Sequence, residues 1–516
     1  MTLTFPIRSW LLGLGFALAP LAGLVAAPRP AAVFGDNAVL QRGIPVAVWG
    51  WGNPGEVIQV RYGKHSALAT TGSDGHWQTR LPALQPEGPG ELVFEGESRV
   101  VSANVIVGDV WLCSGQSNMA WSLGESLGKQ AGAEEIIAKA NVPEIRQFRG
   151  MVHVTFPEQP RLETDAKWVV VTPDTAKGFS LVSYLFARQL FDRYHVPQGV
   201  ICNAVAGTFI ESWMSTEALA AAGIQEEQKQ RWETKLADYP QRKAAYDQAM
   251  QAWNDARKQA EAEGKPFTER RPSELVGPGH RDTPSGCFNA MTAPVVPYTL
   301  KGMLWYQGEQ NIGLGLRYAD RVQALWGDLR NKFAAPDLPI LYVQLPNFEA
   351  SGADRSEWAV LRQGQANAQN FPHVSMAVAI DLGDPKNIHP PDKRELARRL
   401  ALLAFHDIYG EAEVLGHGPR LIKATATDSG VRLTFESLVK IEEPKTAGNM
   451  FEVSGEDRRF IPAKVTQTAP DTIDLQSEPV HQVRWVRYLW SNAPAAIIYS
   501  RDALPAAPFE AEVNHR

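Results

Sequence analysis

The chain has 516 residues, more than one hydrophobic core usually organises, so about two to four domains are expected. Its composition, 44% hydrophobic and 21% charged, is that of a soluble globular protein. A net charge of -6 without a long Lys/Arg run gives nucleic-acid binding no electrostatic support.

Residues 1–27 read as a signal peptide. Arg8 supplies the positive charge, and an apolar, small-residue run from Trp10 ends at Val25-Ala26-Ala27. A cut after Ala26 or Ala27 would put the chain in the periplasm or outside the cell, with no membrane association left. Pro28 next to the cut is unfavourable, and an uncleaved anchor is the competing reading, since the run is near the lower limit for spanning. The 3 cysteines, Cys113, Cys202 and Cys287, have no metal-type spacing. Buried thiols are the simple expectation, with one disulfide allowed.

Residues 28–105 alternate in the manner of β-strands. Val46 and Val48, Val57 to Tyr62 and Leu92-Val93-Phe94 are separated by turn signals at Gly50–Gly55, Gly72–Gly75 and Pro86–Gly90, which suggests a small antiparallel sandwich. Residues 106–410 instead alternate apolar strands with amphipathic helices. Strands are expected at Val105–Cys113, Gly199–Ala204, Gly302–Tyr306, Ile340–Gln344 and Ser375–Ile380, and helices at Ser180–Tyr194, Tyr318–Phe333 and Asp392–Tyr409. That order predicts an α/β domain with a mainly parallel sheet covered on both faces. Its reactive groups should lie just past the carboxyl ends of the strands.

An insertion at about 217–280 interrupts this pattern. Its central part, 224–263, is rich in Ala, Gln, Glu and Lys, with Pro240 in the middle and helical spacing of Trp232, Leu236 and Tyr239, then Tyr246, Met250 and Trp253. It reads as a helical hairpin: a surface flap, or a wall over the site, because it begins soon after Trp213. Residues 411–516 return to alternation, as in Val431–Phe435 and Thr472–Leu475, and predict a C-terminal β-rich domain. The 15 Trp build cores or sugar platforms and favour neither reading.

Four segments could carry chemistry. Val110-Trp111-Leu112-Cys113-Ser114-Gly115-Gln116-Ser117-Asn118-Met119 runs a strand into a turn with a serine at its tip. That placement exposes a nucleophile beside backbone N–H groups; a helix cap is the alternative. Ile201 to Thr208 ends in Ala206-Gly207-Thr208, where glycine admits close approach of a backbone N–H, or simply makes a tight turn. Trp305-Tyr306-Gln307-Gly308-Glu309-Gln310-Asn311 puts amides and a carboxylate at a strand end. There Gln307 could donate to an oxyanion and Glu309 could hold the network; an ordinary polar turn is the alternative. Ile380-Asp381-Leu382-Gly383-Asp384 followed by Asn387-Ile388-His389-Pro390 sets an imidazole after two carboxylates, one of which could orient it. No second histidine lies at ligand spacing from His389, so a metal role there is weak.

In order and wording these segments resemble the sialate O-acetylesterase-like family of SGNH hydrolases. The resemblance rests on Gly115-Gln116-Ser117-Asn118-Met119, Ala206-Gly207-Thr208 with Glu211 to Met214, Trp305 to Glu309, and Ile388-His389-Pro390 with Lys393. The flanks Val39 to Arg42, Trp49 to Gly52 and Arg487 to Trp490 agree. The resemblance implies a flavodoxin-like α/β domain between β-rich flanks and a serine esterase acting on O-acetylated carbohydrate, sialic acid or a plant polysaccharide such as xylan. No cofactor or metal is implied. Ser117 would be the nucleophile and His389 the base. The oxyanion would lie on the N–H groups of Ser117 and Gly207 and on the side chain of Gln307, with Asn118, Glu309, Asn311 and Trp213 in support. SGNH enzymes often set the orienting aspartate three residues before the histidine, where this chain has Lys386. Asp384 and then Asp381 are the candidates, and a Ser–His dyad is the other outcome. Two other functions compete: a glycoside hydrolase using Glu309 with an aspartate near 381, and a non-catalytic carbohydrate-binding protein.

Overall fold

The strand leading to the first motif is longer than its apolar run suggests. β1 (Arg99–Gly115) spans 17 residues in a computed structural model that describes residues 28–149, 155–161, 163–349, 356–441, 450–480, 482–494 and 498–515. The expected signal peptide, 1–27, lies outside the described residues. The first half of β1 pairs antiparallel with Gly90–Glu95, and Ile106–Gly108 pairs parallel with Val39–Gln41. These strands belong to the N-terminal β-region, completed by a three-stranded sheet of Arg29–Pro30, Val46–Trp51 and His76–Leu81. The second half of β1, buried from Val105 to Gly115, is the middle of the α/β sheet. One continuous strand therefore crosses the position near 105 where the sequence pattern changes.

The α/β sheet adds β2 (Ile145–Arg149), β3 (Lys167–Val170), β4 (Gln198–Ala204), β5 (Gly302–Tyr306), β6 (Ile340–Gln344) and β7 (Val374–Val378). Its order is β3-β2-β4-β1-β5-β6-β7. All neighbours are parallel except β3, which runs antiparallel to β2. Strands β4 to β6 are buried almost throughout, as a sheet covered on both faces must be. The five expected strands are present within a few residues.

Helices α1 (Leu181–Tyr194), α2 (Gln225–Leu236), α3 (Tyr239–Ala262), α4 (Tyr318–Lys332), α5 (Glu357–Asn367) and α6 (Arg394–Leu403) follow. Ser180 caps α1 by accepting from the Ser183 N–H. α2 and α3 form the inserted hairpin. Pro240 stands in the first turn of α3 rather than in the middle of a helix, where its missing N–H costs nothing. No residue of α3 is buried, so the spacing of Tyr246, Met250 and Trp253 marks a surface face and not a core. Trp232 of α2 is buried.

Beyond α6 lie two four-stranded antiparallel sheets. One orders Leu421–Thr427, Gly430–Phe435, Thr472–Gln476 and Lys464–Ala469; the other orders Ile461–Pro462, Phe451–Ser454, Trp485–Tyr488 and Phe509–Glu512. Cys113, Cys202 and Cys287 are buried free thiols. Among the described residues no helix is long and apolar enough to cross a membrane.

Candidate active site

Parallel register brings three of the four motifs to one level. Gly115 at the end of β1 stands opposite Ala204 of β4 and Tyr306 of β5, so the chain leaves three adjacent strands side by side. The turn after β4 is tied to β1 by the Val205 N–H donating to the Gly115 carbonyl at 3.1 Å. Gly207 sits in that turn at φ +66°, a left-handed conformation natural to glycine. A Cβ there would also stand 3.3 Å from Nε of Arg281.

Ser117 opens a one-turn helix, Ser117–Ala120. Its Oγ lies 2.8 Å from Nε2 of His389, although 272 residues separate the two. Stacked beside the imidazole is Trp121, with centroids 5.5 Å apart and planes 23° apart. Asn387 Oδ1 accepts from the His389 N–H at 3.0 Å.

Behind the pair, Asn118 organises a buried polar network. Lys393 Nζ donates to Asn118 Oδ1 at 2.7 Å. Since an ammonium only donates, this contact fixes which end of the amide is oxygen. The Asn118 amide nitrogen then donates to Glu309 Oε1 at 2.7 Å and to the Ile388 carbonyl at 3.1 Å. The second bond holds the histidine loop. Glu309 Oε2 is buried and, among the described residues, has no partner. Burial pushes the Glu309 carboxyl up, against the Asn118 bond and the Lys393 charge. Burial likewise pushes Lys393 down to about 7, with Glu309 and Asp392 opposing.

Three expectations are corrected. Gln307 is fully buried, and its Nε2 donates to the Thr208 carbonyl at 3.0 Å and to Asn311 Oδ1 at 2.7 Å. Asn311 Oδ1 also accepts from the Ile210 N–H, which fixes the amide orientation. Both Gln307 protons are therefore spent, and this side chain has no N–H left for an oxyanion. Asp381 does not orient His389: both its oxygens accept from Arg399, at 2.6 and 2.7 Å. Nor does Asp384, whose Oδ1 accepts from the Lys386 N–H at 2.8 Å. Among the described residues no carboxylate hydrogen-bonds to the imidazole. Trp213 is buried, with its Nε1 on Thr208 Oγ1 at 3.0 Å. Asn311 supports the Gly207 turn from beneath, with its Nδ2 on Glu211 at 3.0 Å.

The N–H groups of Ser117 and Gly207 donate to no acceptor among the described residues. The motifs include Lys393 without a role for it, and they do not include Trp121. Lys393 had a signal: it precedes Leu396, Ala397 and Leu400 by three, four and seven residues, which puts a lysine in line with the buried face of α6. The position of Trp121 over the imidazole left none.

A model of the sialic acid-specific acetylesterase family of carbohydrate esterases matches residues 287–405, which include Gln307, Glu309 and His389. Mouse sialate O-acetylesterase is 29% identical over 93% of this chain and 94% of its own. The human protein of the same name is 27% identical over 94% and 93%. Among solved structures, a carbohydrate acetylesterase from Xanthomonas citri is 30% identical, covering 94% of this chain and 99% of that one, with a TM-score of 0.76.

Proposed function

Because the chain belongs to the sialate O-acetylesterase-like family of carbohydrate esterases, and is therefore a carboxylic ester hydrolase, we propose that it removes O-acetyl groups from a carbohydrate through a Ser117–His389 dyad. The observation that carries this reading is the 2.8 Å contact between Ser117 Oγ and His389 Nε2. In the proposed reaction Ser117 Oγ attacks the acetyl carbonyl carbon while His389 Nε2 takes the hydroxyl proton. The negative oxygen of the tetrahedral intermediate lies on the N–H groups of Ser117 and Gly207. Losing one donor of this kind typically costs about 10²–10³ in rate. The intermediate expels the sugar alkoxide, which receives the proton from His389. Water then gives a proton to His389 and attacks the acetyl-serine carbonyl; the bond to Ser117 Oγ breaks, His389 returns the proton to that oxygen, and acetate leaves.

In this reading the imidazole is oriented without a carboxylate. Its face rests on Trp121, while the His389 backbone N–H is held by Asn387 Oδ1 and the loop by Asn118. The α/β region with the dyad, about 106–410, is an SGNH-type, flavodoxin-like hydrolase domain, and 28–105 and 411–516 are its β-rich flanks. The substrate is an acetylated sialic acid or an acetylated plant polysaccharide, and a signal peptide at 1–27 carries the enzyme out of the cytoplasm.

Acetate release from acetylated sialosides, acetylated xylo-oligosaccharides and simple acetyl sugars, run beside Ser117→Ala, tests site and substrate together. Ser117→Ala is expected to lose at least about 10³ of kcat/KM on every substrate that the wild type cleaves. Undiminished turnover by the variant would remove the serine mechanism. Turnover of none of the panel by the wild type would remove the sugar-ester substrate.

A further inference from the structure

A second cluster of donor atoms lies away from the dyad and serves no step of the ester chemistry. Past α6 the helix widens into a π-helical turn, Ala404–Ile408, a distortion that recurs at functional sites. This turn carries His406 and Asp407, and the chain then folds back to bring His417 alongside. His406 Nδ1 lies 2.6 Å from Asp407 Oδ1, and His417 Nε2 lies 3.0 Å from Asp407 Oδ2. The three groups offer one ligand atom each within 4.8 Å of one another.

The fold holds this cluster from behind. Ser375 Oγ, on β7, donates to Asp407 Oδ2 at 2.5 Å. The returning chain is pressed close: a Cβ at Gly416 would stand 3.0 Å from the Cβ of His406 and 3.2 Å from the Leu402 carbonyl. In front the cluster is open, with the side chains of His406 and His417 exposed by 38% and 42%.

We propose that His406, Asp407 and His417 form a site for a zinc-class divalent cation, with at least one coordination position left to water. Two imidazoles and one carboxylate are a donor set that suits zinc; magnesium and calcium want oxygen alone. In a tetrahedral site with bonds of about 2.0–2.1 Å, ligand atoms stand roughly 3.3 Å apart. With Asp407 Oδ1 as the carboxylate ligand, its contacts of 2.6 Å to His406 and 3.2 Å to His417 would open by ~0.7 and ~0.1 Å, and the two ring nitrogens, within 4.8 Å of each other, would draw together. On binding, each ring keeps its proton on the nitrogen facing away from the metal. Ser375 stays on the carboxylate as the outer partner that orients it. The metal joins the last turn of the α/β region to the segment that enters the C-terminal sheets at Leu421, so it is a structural tie and not a catalytic group.

The test uses the full chain without a histidine tag, stripped with a chelator. Calorimetric titration with Zn²⁺ is expected to give one saturable site per chain and a raised Tm. Co²⁺ is expected to give the visible absorption of a four-coordinate nitrogen–oxygen site. His417→Ala should lose both signals, and Ser375→Ala should bind zinc about 10-fold more weakly, while turnover of p-nitrophenyl acetate stays at the wild-type level in each. If His417→Ala does not fold, His417→Gln keeps a donor to Asp407 and removes the imidazole ligand. Zinc bound equally by wild type and variant would overturn the site. So would a wild type with no saturable binding, which would leave the three groups as a hydrogen-bonded ion cluster only.

Discussion

Asn118 has a lysine on its amide oxygen and a glutamate on its amide nitrogen, and the same nitrogen grips the loop that ends in His389. The charges around the imidazole therefore set its protonation. Burial lowers the His389 pKa first, Lys393 and Lys129 lower it further, and Glu125 alone opposes them. A base whose pKa is lowered stays neutral further into acid, so the acidic limb of kcat/KM should lie below the usual histidine range. Lys393, with a pKa of about 7, is protonated across that acidic range and repels a second proton there. Lys393→Met should move the limb to higher pH; an unmoved limb in pH–rate profiles would show that the lysine is structural only. Glu309→Gln keeps an oxygen for Asn118, and its esterase rate should stay within roughly an order of magnitude of wild type. A far larger loss, with Ser117→Ala still active, would favour glycoside hydrolysis instead. At this scale the sequence singled out Ser117 and His389, which meet at 2.8 Å, because the blocks around them are distinctive. It hid the fate of Gln307, because whether an amide is already saturated depends on Thr208 and Asn311 meeting it in space.

The aspartates after β7 belong to the scale of elements. Asp381 locks α6 to the end of that strand through a paired contact with Arg399, which also donates to the Val378 carbonyl at 2.7 Å. Asp381→Ala would leave the buried Arg399 guanidinium only Glu395 and the Val378 carbonyl, at a cost of about 1.5–3 kcal/mol, lowering Tm while sparing turnover per folded molecule. An aspartate that oriented the base would do the reverse, so thermal melts beside active-site-titrated kinetics separate the two roles. Apart from α5, the helices were legible because their apolar residues recur every three or four positions. β2 and β3 at the sheet edge were not. Arg146 and Gln147 look unsuited to a buried strand until their partners are seen: the Asn104 carbonyl for one, the Ser180 N–H at 3.0 Å for the other. Both partners lie more than thirty residues away, where no local pattern reaches.

For the whole molecule, Arg362 of α5 is the rivet. It is fully buried and donates to the carbonyls of Leu345, Pro346, Ser491 and Asn492 at 2.7–2.9 Å, joining the α/β region to the C-terminal one. Burial pushes its pKa down to about 9. Arg362→Met fills similar space but leaves those carbonyls unpaired, and should cost roughly 3 kcal/mol or more, seen as a fall in the urea midpoint. Three regions in sequence order were readable from the changing periodicity. Their interlocking was not, because one strand serves both the N-terminal sheet and the α/β sheet. That shared strand has a consequence for synthesis. A ribosome releases the chain from its amino end, and domains near that end fold first. Residues 28–115 contain every partner that the first half of β1 needs, so this half can zip up early and leave its second half, tipped with Ser117, as a template. β4 and β5 then arrive later along the chain and dock on an edge already laid down.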